Sequence, residues 1–340
     1  MSSTVSVYAE LFGVYMSYKS VWDFGREGKA NYSVHKIGEY PSKIRPIVFA
    51  HIVERFSDKG DVILDPFAGS GTVAVEAKLQ GRNSISYDIN PNAIGLTQKK
   101  LDALDSEEML SAYRELLTGL GEDFQTVLGN GELNHHSKLK EIQAQKEVKK
   151  LQAIMEDLKN PNSDYFKTKH IVEIKDSRKL NLLDETVDAI ITDIPYASMI
   201  KYSDLSTDLS TIEDYDKFLE EISKSFSEMH RVLKADKYCI IFVADYRVGA
   251  SRKILPVHAD VINIMRDLGF TLFDLYIWRY YRSGGFRPFG KKPFQAMNIH
   301  SYILVFHKPE GEELDKANST PKYRKRLSEK MSKNKVIEPL

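Results

Sequence analysis

The sequence predicts an α/β fold, a largely parallel sheet with helices on both faces. Three observations predict it. Short apolar runs, Val62-Ile63-Leu64 and Val187-Asp188-Ala189-Ile190-Ile191, have the length and β-branched content of buried strands. Segments of helical period alternate with them, as parallel strands joined by crossover helices require. Two of the strands run straight into compact motifs, Asp65-Pro66-Phe67-Ala68-Gly69-Ser70-Gly71-Thr72 and Thr192-Asp193-Ile194-Pro195-Tyr196. Open α/β sheets bind ligands at strand ends of this kind.

The elements follow in order. Residues 1–34 are aromatic-rich with no clear period and form an N-terminal extension. Pro46 to Phe56 places Ile47, Val48, Ile52, Val53 and Phe56 at helical spacing behind an initial proline. A strand is expected over Asp61–Asp65, and a helix over Thr72–Leu79 stopped by Gly81. A second strand, Ser84–Asp88, leads to a helix over Asn92–Leu104. Residues 105–169 break this rhythm. They are rich in Glu, Lys, Gln and Leu and read as a helical insertion, exposed along much of its length, that serves target recognition or a dimer contact. The rhythm resumes with strands over His170–Ile174 and Val187–Thr192. A helix over 213–233 aligns Phe218, Leu219, Ile222, Phe226, Met229 and Leu233. Then come a strand over Tyr238–Ala244, a helix over Pro256–Leu268, and strands over Phe270–Ile277 and Ser301–Phe306. The last two lack a helix between them, so they form an antiparallel edge pair.

Composition narrows the function classes. Hydrophobic content of 42% with 28% charged residues is that of a water-soluble globular chain of one large or two modest domains. No apolar run approaches the roughly 20 residues of a membrane helix, and the first residues lack the pattern of a secretory signal. A cytoplasmic protein without a membrane partner is expected. The single cysteine, Cys239, rules out an intrachain disulfide and a cysteine-based zinc site. His135-His136 has no partner at metal-ligand spacing, so no metal site is expected. Forty-eight basic residues balance 48 acidic ones, so a nucleic-acid signal has to come from local clusters.

The first motif is a glycine loop opening a helix. Gly69 and Gly71 allow a sharp turn and a close approach of backbone to ligand, and the helix start offers unpaired N–H groups to an anion. No Gly-Lys-Ser/Thr follows, so it is not a Walker loop; a carboxylate fits it as well as a phosphate. Asp88, at the end of the next strand, is placed to accept hydrogen bonds from ribose hydroxyls.

These motifs resemble the amino-methyltransferases of DNA, the N6-adenine and N4-cytosine family. In that family Asp-Pro-Phe-x-Gly-Ser-Gly-Thr binds S-adenosylmethionine (SAM) and Asp-Pro-Pro-Tyr is catalytic. His35 to Pro46, with Tyr40-Pro41-Ser42-Lys43, resembles the segment that closes over the methionine end of the cofactor. Asp176, in Lys175-Asp176-Ser177-Arg178, resembles the aspartate beside its adenine, and Ser301 to Lys308 the family's closing strand. The SAM motif precedes the catalytic motif here, unlike the permuted members with the reverse order. The resemblance implies a Rossmann-like class I methyltransferase with a mostly parallel, seven-stranded sheet. Residues 35–104 would be its SAM-binding half, and 170–309 its catalytic half. The cofactor site would be Lys43, Asp65, Pro66, Phe67, Ala68, Gly69, Ser70, Gly71, Thr72, Asp88 and Asp176.

The chemistry explains the second motif. The lone pair of an exocyclic amine is delocalised into its ring, so the nitrogen needs two acceptors for its hydrogens before it attacks a methyl group. The Asp193 carboxylate and the Ile194 carbonyl, held by Pro195, are those acceptors, and Tyr196 is expected to stack on a base flipped out of its helix. Ile194 departs from the usual proline, but its carbonyl alone enters the chemistry. Aspartate at the first position favours adenine over cytosine. Residues 278–292 interleave five basic residues with five aromatics and no acid. Arg279, Tyr281, Arg282, Phe286, Arg287, Lys291 and Lys292 are the expected nucleic-acid contacts. Lys316 to Lys335, within the basic tail 310–340, adds eight basic residues against one acid. DNA is the expected partner; a second copy of the chain and a cognate restriction endonuclease are further candidates. Two other activities share these features: methylation of an RNA guanine amine, and a SAM-binding, DNA-recognising subunit without catalysis. The lack of a recognisable RNA-binding module argues against the first, and the intact Asp193 and Tyr196 against the second.

Overall fold

A computed structural model describes residues 20–23, 32–41, 44–128, 135–196, 200–248, 253–279 and 300–310. It contains β1 (Val21–Asp23), α1 (Pro46–Phe56), β2 (Val62–Asp65), α2 (Thr72–Leu79), β3 (Asn83–Asp88) and α3 (Pro91–Ala103). Helices α4 (Ser106–Leu128) and α5 (His135–Asp157) follow, then β4 (His170–Ile174), β5 (Val187–Asp193), α6 (Tyr215–Val232) and β6 (Leu233–Val243). The short strands β7 (Tyr246–Val248) and β8 (Lys253–Leu255) precede α7 (Val257–Asp267), β9 (Thr271–Arg279) and β10 (His300–Lys308).

The main sheet has the order β1-β9-β10-β6-β5-β2-β3-β4. It holds eight strands rather than the seven expected. The extra strand, β1, comes from the N-terminal segment and runs parallel along β9, with Trp22 opposite Trp278. β10 runs antiparallel to both β6 and β9, and the other neighbouring pairs are parallel. From β2 the chain builds outward through β3 to β4, then returns to β5 on the other side of β2. The strand order therefore reverses between β2 and β5, and the crevice above such a point is where open α/β sheets take ligands.

Period-two burial divides the core between the faces. Ile63, Ala189, Ile191, Ile240 and Phe242 face a layer containing α1 and α2. Leu64, Ile190, Cys239, Ile241 and Val243 face α6 and α7. α6 is capped by Asp214, whose carboxylate accepts from the Lys217 N–H at 2.8 Å. It buries Phe218, Ile222, Phe226 and Met229, each worth roughly 1.5–3 kcal/mol on transfer from water. The insertion is a pair of packed helices, but it is less exposed than its charge suggests. Met109, Ala112, Tyr113, Leu151 and Leu158 join the α1–α2 core, and the Tyr113 hydroxyl donates to the Leu79 carbonyl at 2.6 Å. Among the described residues no helix is long and apolar enough to cross a membrane.

Candidate active site

β2 and β5 are adjacent and parallel, so Asp65 and Asp193 end neighbouring strands at the switch point. The glycine loop leaves β2 directly. Gly69 and Gly71 have φ of 49° and 74°, where an L side chain is strained. Space forbids a side chain as well. A Cβ on Gly71 would lie 2.6 Å from Thr97 Oγ1 and 2.7 Å from its Cγ2, and one on Gly69 would lie 3.0 Å from the Tyr40 ring. Thr97 Oγ1 donates to the Gly69 carbonyl at 3.2 Å, and the buried Lys100 ammonium donates to the Ser70 carbonyl at 2.7 Å. α3 thus holds the loop from behind.

Asp88 ends β3 beside the loop. One carboxylate oxygen accepts from the Gly69 N–H and the other from the Asn90 N–H, both at 2.8 Å. The Ile89 N–H bears on the same carboxylate; a carboxylate offers about four acceptor positions, so capacity remains for a ligand hydroxyl. Burial pushes the Asp88 carboxyl up to about 6, against the pull of those N–H groups. Asp65 is also buried; its Oδ1 accepts from the Thr192 hydroxyl at 2.7 Å and the Phe67 N–H at 3.1 Å. Desolvation outweighs both and pushes it to about 7. Asp193 accepts from the Tyr196 hydroxyl at 2.7 Å. Burial, with the nearby Asp65 charge adding to it, lifts its carboxyl to about 7. Three carboxyls thus meet where water is scarce, an arrangement that favours a cationic ligand.

The space between them is an open cleft, with the ends of β2, β3 and β5 all in its lining. Its lining includes Pro66 to Ser70 and Thr72 of the loop, Asp176, Tyr202, Asp193 and Pro195. Gly71 supports the loop from its turn with its N–H on the Ala68 carbonyl at 2.8 Å. The Asp176 carboxylate is already held by Arg178 through hydrogen bonds of 2.6–3.1 Å, while Arg178 also reaches Glu221 at 2.6 Å. Burial alone would raise Asp176, but the Arg178 side-chain and backbone hydrogen bonds prevail and hold it below the usual carboxylate range.

Two of the expected residues are buried at the end of β5. Tyr196 is buried, and its hydroxyl is spent on Asp193. Ile194 turns its side chain into the core, 1% exposed. Cys239 is wholly buried in β6, and burial pushes its thiol up. Arg279 is exposed at the end of β9. Lys43, Tyr281, Arg282, Phe286, Arg287, Lys291 and Lys292, like the basic tail, lie outside the described residues.

Tyr40 lies in the segment that the sequence already pointed to, whereas Tyr202, Asn90 and Lys100 were missed. Tyr40 and Tyr202 stack across the cleft at 5.9 Å and 18°, and the Asn90 amide donates to the Tyr202 carbonyl at 2.9 Å. Asn90-Pro91 after Asp88 was the available signal, since it is a helix start with a side-chain cap. Lys100 gave none, because Gln98-Lys99-Lys100 reads as an exposed helix face. The segment carrying Tyr40 is anchored by His35, whose Nε2 lies 2.9 Å from the buried Glu76 carboxylate on α2.

Comparison with known proteins bears on this site. A type II methyltransferase of Methanocaldococcus jannaschii, M.MjaII, is 31% identical over 123 residues, 34% of this chain and 23% of that protein. The DNA adenine methyltransferase YhdJ of Escherichia coli is 32% identical over 102 residues, 29% of this chain and 34% of that protein. The type II methyltransferase M.MthZI of Methanothermobacter thermautotrophicus is 26% identical over 179 residues, 47% of this chain and 50% of that protein. The chain spans half or less of the length of these curated relatives. The DNA methylase family model matches residues 14–99 and 187–338, more than half of the chain. On that match the chain belongs to the DNA methylase family, the N6-adenine and N4-cytosine amino-methyltransferases that use S-adenosylmethionine.

Proposed function

We propose that the protein methylates an exocyclic amine of a base in DNA, adenine N6 in preference to cytosine N4. The observation that carries this reading is Asp193. Its carboxylate ends β5 at the switch point and lines the same cleft as the glycine loop, which supports a role in orienting the substrate amine.

The groups present fit the cofactor. Asp88 keeps acceptor capacity for a ribose hydroxyl, and Gly69, without a side chain between its backbone and the Tyr40 ring, admits a close approach of the loop. The start of α2 suits a carboxylate, and the three buried acids suit a positive charge. When bound, SAM supplies a methyl group on a sulfonium. The chain's own residues do the rest. Asp193 accepts one amine hydrogen, the Ile194 carbonyl accepts the other, and Pro195 keeps that carbonyl's peptide rigid. Both draw the nitrogen lone pair out of conjugation. Tyr196 acts here by donating to Asp193, which holds the carboxylate's orientation and favours its ionised form. Aspartate at position 193 supports adenine, and one similar protein is named a DNA adenine methyltransferase.

Nucleoside mass spectrometry on unmethylated DNA, incubated with protein and SAM beside total RNA, tests the reading. N6-methyladenine in the DNA is the expected product, and N4-methylcytosine would correct the base. Methylated RNA with unmodified DNA would overturn the proposal.

A further inference from the structure

β6 runs parallel to β5, with Phe242 opposite Asp193. Its C-terminal end therefore emerges at the edge of the sheet where the cleft opens. The chain does not turn directly into α7 there. It first forms a separate two-stranded ribbon, β7 paired antiparallel with β8, with Arg247 opposite Ile254 and Val248 opposite Lys253.

The root of this ribbon is fixed. Asp245, buried at the end of β6, accepts the His258 backbone N–H at 3.2 Å and pairs with its Nδ1 at 2.8 Å. The His258 ring stacks on Tyr302 of β10 at 4.1 Å and 16°. At the ribbon's inner end Tyr246 is buried opposite Leu255. Further out the composition changes. Val248 is 37% and Ile254 50% exposed, Lys253 is exposed and Arg247 half-buried. Residues 246–256 contain no acid at all. Arg279, at the end of β9, is exposed at the same edge.

We propose that the β7–β8 ribbon is a DNA-contacting arm, with Arg247 and Lys253 on backbone phosphates beside the base that enters the cleft. The inference rests on the reading of the protein as a DNA methyltransferase. A two-stranded ribbon fits the major groove of B-form DNA. A short ribbon on its own is marginally stable, so a rigid root is what such an arm needs. Basic side chains contact phosphates without reading sequence, and the exposed Val248 and Ile254 supply apolar contact to sugars and base edges. The arm is separate in sequence from the basic-aromatic loop and leaves the sheet at the edge where β9 ends.

The test uses the whole chain and a labelled, unmethylated, random-sequence duplex of about 30 base pairs, with affinity followed by anisotropy across salt concentrations. Each phosphate contact contributes about 0.9 to the slope of log affinity against log salt. The Arg247→Gln/Lys253→Gln double variant is expected to lower that slope by about 1.8. Between about 50 and 200 mM salt the wild type then loses about twelvefold more affinity than the variant. SAM affinity and thermal midpoint stay at wild-type values, and Arg247→Lys/Lys253→Arg restores the slope. A double variant with the wild-type slope and affinity, from a wild type that methylates DNA, would overturn the arm alone. A wild type that neither binds the duplex nor methylates DNA would overturn the arm together with the reading beneath it.

Discussion

Gly71→Ala separates backbone strain from packing at the cofactor loop. Gly71 has φ of 74°, where an alanine is strained by roughly 1–2 kcal/mol. Its new Cβ would meet three atoms of Thr97 at 2.6, 2.7 and 2.9 Å. Thr97 is fully buried and β-branched, and its hydroxyl holds the Gly69 carbonyl. It has little freedom to give way, so overpacking adds roughly 1–3 kcal/mol. The total is about 2–5 kcal/mol, which lowers the thermal midpoint by roughly 3–7 °C in a chain of this size. Gly60→Ala is the control. Its φ is 92°, yet nothing lies within 4 Å of its Cβ position, so strain alone applies. Adding Thr97→Ala to Gly71→Ala removes the two nearest atoms, and a double-mutant cycle isolates their share. Thermal melts of five proteins (the wild type, Gly60→Ala, Gly71→Ala, Thr97→Ala and the double variant), with calorimetric SAM titrations, supply the numbers. If Gly71→Ala melts with Gly60→Ala and binds SAM like the wild type, the close packing of α3 on the loop is not what holds the cofactor site.

Two further predictions concern charge. Asp65, Asp88 and Asp193 keep their protons to about pH 7, 6 and 7, against 3.8 for an ordinary aspartate. In that window the ligand-free folded protein binds protons that the unfolded chain has released, so these groups make stability fall as pH rises from about 4 to 7. Thermal midpoints against pH check the sign, and Asp65→Asn should flatten the fall; SAM affinity should rise over the same window, because a cation favours the ionised acids. Tyr196→Phe removes the hydroxyl that lowers the Asp193 carboxyl. The acid limb of the methylation rate profile should move about one pH unit upward, and an unmoved limb would mean that Asp193 is not the titrating group.

What the sequence made legible follows from how local each signal is. Val62-Ile63-Leu64 before a glycine loop, and the proline and apolar spacing of α1, are written within a dozen residues, and the element bounds came close. Asp65, Gly69, Asp88 and Asp193 converge because strand ends at a switch point must converge. The failures are non-local. β1 has three residues, too few for a period, and exists through its pairing with β9. β6 starts at Leu233, not Tyr238, because Leu233 pairs with Val187 across a polar stretch. The base of the α4–α5 pair is buried through Met109, Ala112 and Tyr113, an apolar stripe diluted by the charges around it. The hydroxyl of Tyr196 meets Asp193 three residues away, a contact that depends on how the chain turns after β5 and that no motif spells out.

The most direct test of the account is Asp193→Asn, which keeps the shape of the side chain and removes its charge. The measurement is single-turnover methyl transfer to DNA, with SAM affinity determined in parallel. The account predicts SAM affinity within a few-fold of wild type and transfer slower by about a hundredfold or more, the scale of losing one preorganised polar contact in a reaction centre. Transfer at the wild-type rate with SAM bound normally would contradict it.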